Sequence, residues 1–356
     1  MFIKSLIALT LSTQPTITKA TDDFTILNVK SSNPANIRID LKVDNPDKTR
    51  PVKTRNGTFQ SQVDFSKFQI TENGYPLSTS EGGKAIIGGC LECSVNVIHL
   101  TLDYSGSVRT QHNQLMNSAR NFLNSITKSS GRNFVRLSLF AGDKGLYNFK
   151  GFENYYFDPG TLYNKLLTSS CADFTLNGAQ GGLNLCNSDS ATRLNRAIVT
   201  NISALEDSKA HFKTISPNVN YTSIIFSDGM GRDLDVDMST VQKNIEKFKN
   251  ADGLFYVVAL KSDEENRTYF ENLAPTKMFD LKRISKLSDS LISVYDEMQA
   301  KLPLYFTIKI CSAVRGGMSV IGIESKNYNV PYSPNDVDAT NFTGGCDVNN
   351  ASQWKF

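Results

Sequence analysis

A carboxylate and two hydroxyls stand on alternate residues directly after an apolar segment of the chain. The segment begins at Val95 and ends in Asp103, and Ser105 and Ser107 follow it. The apolar run predicts a buried strand, and the residues after it are compatible with a helix. Open α/β sheets build binding sites in such loops at the carboxyl ends of strands. One carboxylate with two hydroxyl oxygens suits Mg²⁺, Mn²⁺ or Ca²⁺, so these residues predict a divalent-cation site.

Two further polar residues occupy comparable positions downstream. A second short apolar run, residues 221–227, predicts another strand and ends in Asp228. Between the two strands, apolar residues at helical spacing follow Thr192, which predicts a helix that begins near this residue. We therefore expect an acid and a hydroxyl to join the first three residues at one edge of the sheet.

In this order, Asp103-x-Ser105-x-Ser107, Thr192 and Asp228 resemble the metal-ion-dependent adhesion site of the von Willebrand factor type A (vWA) domain. The resemblance covers roughly residues 93–300. It implies an α/β fold with a doubly wound, mostly parallel, Rossmann-like sheet. It also implies that the three hydroxyls contact the cation directly or through water, while the two carboxylates supply charge. The cation implied is Mg²⁺, with Mn²⁺ or Ca²⁺ as alternatives.

The third part of the pattern departs from the family. A Gly-Gly-Thr often precedes the helix in vWA domains, whereas here Gly181-Gly182 is followed by Leu183. We prefer Thr192 because the helical spacing follows it, and because the residues after Leu183 are typical of a turn. If Leu183 is the equivalent residue instead, the site has lost a ligand.

The resemblance implies a binding function. With few direct carboxylates the cation stays electrophilic, and an open coordination position would attract an Asp or Glu side chain of a protein partner. We therefore expect a secreted or periplasmic binding protein, not an enzyme, that acts in adhesion or in the assembly of a surface structure. Alternatives are a metal-dependent hydrolase that uses the same acids, and a structural module in which the site is degenerate and the β-sandwich makes the contacts. Separately, Ser107 could simply cap the helix that follows it.

The histidines argue against the hydrolase. The chain has only three, without a His-Glu motif or a supported Ser/His/Asp arrangement. His99 lies within the first strand and His112 on the following helix, and we expect both to be packing or surface residues.

Length, charge and the first residues restrict the class of protein. The chain has 356 residues, enough for two domains, and a net charge of +3 with interspersed signs, which does not indicate nucleic-acid binding. Residues 1–20 carry Lys4, a short apolar core and a small residue at the end, which predicts a secretory signal peptide. No later apolar run reaches the roughly 18 residues that a transmembrane segment requires.

Six cysteines agree with an oxidising compartment. Cys90 and Cys93 form a Cys-x-x-Cys without a second pair or a nearby His to complete a zinc site. Many connectivities are open, and we favour local pairing: Cys171 with Cys186, Cys311 with Cys346, and Cys90 with Cys93.

Alternating helical and apolar patterns support the α/β assignment over residues 90–302. The spacing predicts helices over residues 109–128, 162–167, 238–250 and 284–300, and strands over residues 134–140 and 254–260.

The flanking segments have β patterns. Residues 24–29 and 37–43 read as strands, and Asn73-Gly74 predicts a hairpin within residues 65–77, while residues 78–89 read as a linker. This segment resembles the small immunoglobulin-like β-domain that precedes vWA domains in some bacterial secreted proteins.

The β pattern returns after the α/β segment. Residues 305–310 and 318–323 predict strands joined by a hairpin-like turn at Arg315-Gly316-Gly317, and residues 327–356 read as a polar tail. Because an isolated hairpin is marginal in water, we expect these strands to pair with the N-terminal ones. The predicted organisation is a signal peptide (1–20), the first part of a β-sandwich with a linker (21–89), an inserted vWA domain (90–302), and strands that complete the sandwich plus a tail (303–356).

Overall fold

The computed structural model describes most of the chain from residue 23 to residue 346, with internal gaps. The described residues are 23–33, 35–44, 52–53, 59–60, 68–77, 85–89, 94–127, 132–142, 145–176, 184–188, 191–216, 218–229, 235–260, 263–302, 304–325 and 335–346. The predicted signal peptide, the Cys90/Cys93 pair and Gly181-Gly182-Leu183 lie outside them.

Short strands precede the α/β part of the chain. They are β1 (Asp23–Ser32), β2 (Asn36–Asp44), β3 (Val52–Lys53), β4 (Phe59–Gln60), β5 (Phe68–Glu72), β6 (Tyr75–Pro76) and β7 (Ala85–Gly89). Asn73 and Gly74 both have positive φ and connect β5 to β6, so the predicted hairpin is confirmed.

Strands and helices then alternate. The strands are β8 (Val95–Asp103), β9 (Arg132–Phe140), β10 (Leu146–Phe149), β11 (Phe174–Leu176), β12 (Val219–Ser227), β13 (Leu254–Leu260) and β14 (Lys277–Leu281). The helices are α1 (Gly106–Arg109), α2 (His112–Thr127), α3 (Pro159–Leu167), α4 (Leu194–Ile215), α5 (Met238–Asn250), α6 (Glu264–Asn272) and α7 (Leu287–Lys301). The chain closes with β15 (Leu304–Cys311), β16 (Met318–Ser325) and β17 (Asn335–Asp338).

The central sheet has the strand order β11-β10-β9-β8-β12-β13-β14. The five strands from β9 to β14 in this order are parallel, and β10 and β11 are added antiparallel at one edge. From β8 the chain crosses to β9 on one side, and only later returns to β12 on the other side. The sheet therefore reverses its winding between β8 and β12.

Helices cover both faces of this sheet because the strand residues alternate between two separate cores. Ile98, Leu100 and Leu102 pack with buried residues of α2, α3 and α7. Val95 and Val97 pack on the opposite face with buried residues of α4, α5 and α6. The predicted doubly wound, mostly parallel α/β fold is confirmed.

The flanking strands form two further four-stranded sheets, β1-β2-β15-β7 and β17-β16-β5-β6. One core joins them, with Ile39 and Ile308 from the first sheet and Ile70 and Ile321 from the second. Strands from before and after the α/β segment thus share each sheet, and the two sheets pack as a sandwich.

Three sequence interpretations of the β segments are wrong in part. The turn at residues 315–317 does not form a hairpin, because β15 pairs with β2 and β7 whereas β16 pairs with β5 and β17. Residues 85–89 of the expected linker form β7, and residues 335–338 of the expected tail form β17. β7, β15 and β16 each pair with a strand that is distant in sequence, which local composition did not indicate. β17 pairs with β16, the strand directly before it.

Two predicted disulfides are confirmed, Cys171–Cys186 and Cys311–Cys346. No helix among the described residues combines the length and the apolar character of a membrane span.

Candidate metal centre

The carboxyl ends of β8 and β12 lie side by side at the point where the sheet reverses its winding. Leu102 of β8 pairs with Phe226 of β12, which brings Asp103 beside Ser227. Connections leave the two strands toward opposite faces of the sheet, since α2 packs on one face and α5 on the other. Such reversals create a crevice in open α/β sheets, and it is here that ligands bind.

Asp103 is the buried centre of this crevice. Its Oδ1 accepts a hydrogen bond from the backbone N–H of Ser105 at 2.8 Å, and its Oδ2 accepts one from the Ser227 hydroxyl at 2.6 Å. Burial raises the pKa of Asp103 to about 6 because it penalises the charged form; the nearby Asp228 charge acts in the same direction, and the hydrogen bonds from Ser227 and Ser105 act against it. A positive charge beside the carboxylate would offset this penalty.

The hydroxyls of Ser105 and Ser107 face each other. Their Oγ atoms are 3.5 Å apart, and Ser105 is buried while Ser107 is exposed. Ser105 precedes α1 in the N-cap position but its side chain makes no capping hydrogen bond. Ser107 lies within α1, so the alternative that it caps the helix is wrong.

Thr192 lies in the segment that enters α4, two residues before this helix begins at Leu194. The carbonyl of Ala191 accepts a hydrogen bond of 2.8 Å from the N–H of Gly142, just beyond the end of β9. Because Phe140 of β9 pairs with Asp103 of β8, the chain before Thr192 reaches the same sheet edge. The helix that the sequence predicts near Thr192 is α4. Thr192 itself is half-buried.

Asp228 follows β12 directly and is half-buried. It lies close enough to Asp103 for its charge to contribute to the raised pKa of that carboxyl. The structure thus brings Asp103, Ser105, Ser107 and Asp228 to one edge, and places Thr192 on a third segment at that edge.

Sequence reasoning missed Ser227. Its hydroxyl donates to Asp103 and is also within hydrogen-bond distance of the Gly229 carbonyl, at 3.2 Å. The signal was available in principle, because Ser227 is the polar last residue of β12 and directly follows the apolar residues 224–226. Its role nevertheless depends on the lateral register of β12 against β8.

The donor set fits a hard divalent cation. Ligand oxygens on adjacent corners of an octahedron are about 3 Å apart around Mg²⁺ or Mn²⁺ and about 3.4 Å apart around Ca²⁺. The 3.5 Å between the two serine hydroxyls is near this range. Among the described residues, no three His, Cys, Asp or Glu side chains cluster as a metal site. A cation at this edge would therefore depend on hydroxyl and water ligands beside the two acids.

His99 is a buried packing residue. Its ring nitrogens lie 2.7 Å from the Ser138 hydroxyl and 3.3 Å from the Asn201 carbonyl. Burial and the Arg136 charge lower its pKa well below the ordinary value, so the ring stays neutral. His112 begins α2 and its ring packs edge-on against Tyr104 at 5.3 Å. Both agree with the packing roles expected from the sequence.

Comparisons with known proteins give likenesses of fold. No family model matches the chain, and no curated protein matches it. Similar solved structures include proximal thread matrix protein 1 from the mussel byssus (13% identity, TM-score 0.39, 60% of this chain and 48% of that one). A second is the pilus adhesin SpaC from Lactobacillus rhamnosus GG (10% identity, TM-score 0.41, 90% of this chain and 47% of that one). A third is manganese-loaded TRAP from Plasmodium vivax (11% identity, TM-score 0.39, 72% of this chain and 97% of that one). The chain spans about half the length of the first two.

Proposed function

We propose that this chain is a secreted or surface-associated binding protein that recognises an acidic side chain of a protein partner through a divalent cation. Asp103, Ser105, Ser107, Thr192 and Asp228 would hold the cation. The observation that carries the proposal is the buried Asp103 carboxyl at the reversal of the sheet, with the paired serine hydroxyls and Asp228 around it.

The residues of the chain have distinct tasks in this proposal. Ser105 and Ser107 present neutral oxygens, and Asp103 supplies charge from a fixed position because both of its oxygens accept hydrogen bonds from the chain. When bound, the cation would supply a positive charge. The neutral hydroxyls of Ser105 and Ser107 would leave enough of that charge to attract an Asp or Glu carboxylate of a partner.

The same hydrogen bonds favour binding over hydrolysis. A general base must lie within hydrogen-bond reach of a proton of water or substrate, and Asp103 and His99 are both fully buried. The N–H of Ser105 and the hydroxyl of Ser227 engage both oxygens of Asp103, and the buried His99 is bound to Ser138 and Asn201. These groups are arranged as fixed supports.

Calorimetric titration of Mn²⁺ or Mg²⁺ tests the cation site. We expect saturable heat with the native chain and its loss, or a weakening of at least about a hundredfold, in Asp103→Ala, because a buried charge of the site is removed. Asp289→Ala is the control, since Asp289 is an exposed acid of α7 that forms a surface ion pair with Lys286. Equal heats for the native chain and Asp103→Ala, or none for either, would refute the cation site.

Recognition of an acidic partner is tested with the same proteins. The Mn²⁺-loaded chain should bind peptides that contain Asp or Glu, and binding should fall away with EDTA and with the matching Asn or Gln peptides. Binding that survives both changes would show that the sandwich or another surface makes the contact, as in the structural-module alternative.

A further inference from the structure

The segment that leads to Thr192 is tied to its surroundings before it reaches this residue. We call the described residues 184–188 and 191–193 the third loop. Asn184 forms a β-bridge with Thr175 of β11. Cys186 forms a disulfide with Cys171, which lies just before β11. The start of the third loop is thus attached to the edge of the central sheet.

A second connection joins the third loop to the first residues of the site. Arg109, at the end of α1, donates a hydrogen bond of 2.9 Å to the Ser188 hydroxyl, which itself donates to the Leu185 carbonyl at 2.8 Å. The Arg109 guanidinium lies 5.6 Å from the centre of the Tyr104 ring. Arg109 and Tyr104 flank Ser105 and Ser107 in sequence, so this contact links the two serines to the third loop.

The end of the third loop leads directly into α4 and is held by the segment that follows β9. The bond from the Gly142 N–H to the Ala191 carbonyl holds the backbone there. Thr192 therefore depends on contacts made by neighbouring segments for its position.

We infer that the Cys171–Cys186 disulfide and the Arg109–Ser188 hydrogen bond are positioning elements that hold Thr192 against the serine hydroxyls for cation binding. This inference rests on the proposed function and assigns the third ligand to the third loop. A ligand on an unrestrained loop loses conformational entropy when the cation binds, and that loss weakens binding. The Cys171–Cys186 disulfide and the Arg109–Ser188 hydrogen bond restrain the loop before the cation binds, so less conformational entropy is lost on binding.

Replacement of the disulfide tests the inference in the full chain. In Cys171→Ser/Cys186→Ser we expect the Mn²⁺ affinity measured by calorimetry to fall about tenfold, the lower range for loss of outer support of a metal site. Cys311→Ser/Cys346→Ser is the matched control, because that bond lies in the sandwich and should leave the affinity within about twofold. A tenfold loss in both variants, or in neither, would overturn the inference.

The arginine contact is tested by a double-mutant cycle. Arg109→Met and Ser188→Ala should each weaken Mn²⁺ binding several-fold, and the double variant should be no weaker than the more affected single variant, because both remove the same contact. Arg267→Met, which removes an exposed arginine of α6, should leave the affinity unchanged. Independent, additive losses would contradict a shared role.

Hydrogen exchange separates this inference from the cation site itself. In the metal-free chain, the amides of residues 191–194 should exchange faster in Cys171→Ser/Cys186→Ser than in the native protein, while those of β13 stay unchanged. A native chain that takes up no cation would refute the proposed function, and the exchange result would still decide whether the disulfide holds the third loop. Unchanged exchange at residues 191–194 would refute the positioning role.

Discussion

Asp103 shows how a single buried residue can be costly to the fold and useful to the site. Its pKa is raised to about 6 from the ordinary 3.8, chiefly by burial. The folded chain therefore holds this proton to higher pH than the unfolded chain. At low pH, where Asp103 is protonated in both states, its ionisation does not lower the free energy of unfolding. As the pH rises through the range between the two pKa values, Asp103 increasingly destabilises the metal-free fold. A bound cation would offset this penalty by neutralising the carboxylate.

This balance predicts that Asp103→Asn stabilises the metal-free protein at neutral pH. The amide can still accept from the Ser105 N–H and can donate to the Ser227 hydroxyl, which would turn toward Gly229. In EDTA we expect the free energy of unfolding to rise by about 3 kcal/mol at pH 7.5 and by only about 1 kcal/mol at pH 4.5, from the two pKa values. Urea unfolding at both pH values measures it.

The decisive quantity is how far the rise in unfolding free energy at pH 7.5 exceeds the rise at pH 4.5. A general effect of the amide on stability would be the same at both pH values. A change that is independent of pH would show that the Asp103 carboxyl is not held in its raised-pKa state. With Mn²⁺ present the order should reverse, since only the native chain gains stability from the cation.

At the scale of elements, α4 is attached to the centre of the sheet through polar contacts. Asn201 donates from Nδ2 to the Thr101 hydroxyl at 2.6 Å and to the His99 carbonyl at 3.2 Å, and its own carbonyl meets the His99 ring. All of these residues are fully buried. Asp103 ends the same strand, so the contacts that fix α4 on β8 also fix the helix that follows Thr192 relative to the site.

Asn201→Ala should therefore cost about 2–3 kcal/mol of unfolding free energy, because buried polar groups of β8 lose their partner. Asn244→Ala is the control, since Asn244 is half-buried on α5 and its amide donates to the Thr240 carbonyl in the preceding turn. Chemical denaturation of both variants measures the difference. Equal and small losses would mean that α4 is held by its apolar face alone.

Local patterns predicted these elements well where the pattern had a clear period. Residues 238–250 and 254–260 were expected as a helix and a strand, and α5 and β13 have these bounds. The predicted helix over residues 109–128 corresponds to α2, which begins at His112, and a separate short helix, α1, precedes it. The break between the two helices keeps Ser105 and Ser107 on a separate short turn beside Asp103.

At the scale of the whole molecule, the sandwich joins segments from both sides of the α/β part. β15 lies between β2 and β7, and β16 lies between β5 and β17. The apolar residues of the first strands therefore reach their burial only when the last strands are present. We propose from this pairing that residues 90–302 form an inserted domain and that the sandwich needs both flanks.

Truncated chains test this organisation. Residues 90–302 alone should fold and retain the Mn²⁺ affinity of the full chain, because the central sheet and both of its cores lie within this segment. Residues 21–89 alone should remain unfolded, since β2 loses its pairing with β15 and β5 loses its pairing with β16. Circular dichroism and amide NMR spectra report both outcomes. A folded 21–89 fragment would contradict the shared sandwich.

Much of the candidate site follows from the sequence alone because its information is local. Asp103, Ser105, Ser107 and Asp228 each stand directly after an apolar run, and the ends of parallel strands meet at one edge of a sheet. The fold class follows from the same alternation of strands and helices.

Contacts between distant segments were decided only by the tertiary structure. The Ser227 hydroxyl reaches Asp103 through the register of β12 on β8, and Arg109 reaches Ser188 through the packing of the third loop on α1. β15 and β16 carry the same alternation as a hairpin, yet each pairs with a strand from the other end of the chain. A period of two residues tells which side of a strand is buried, but the partner strand is selected by the free energy of the whole packed arrangement.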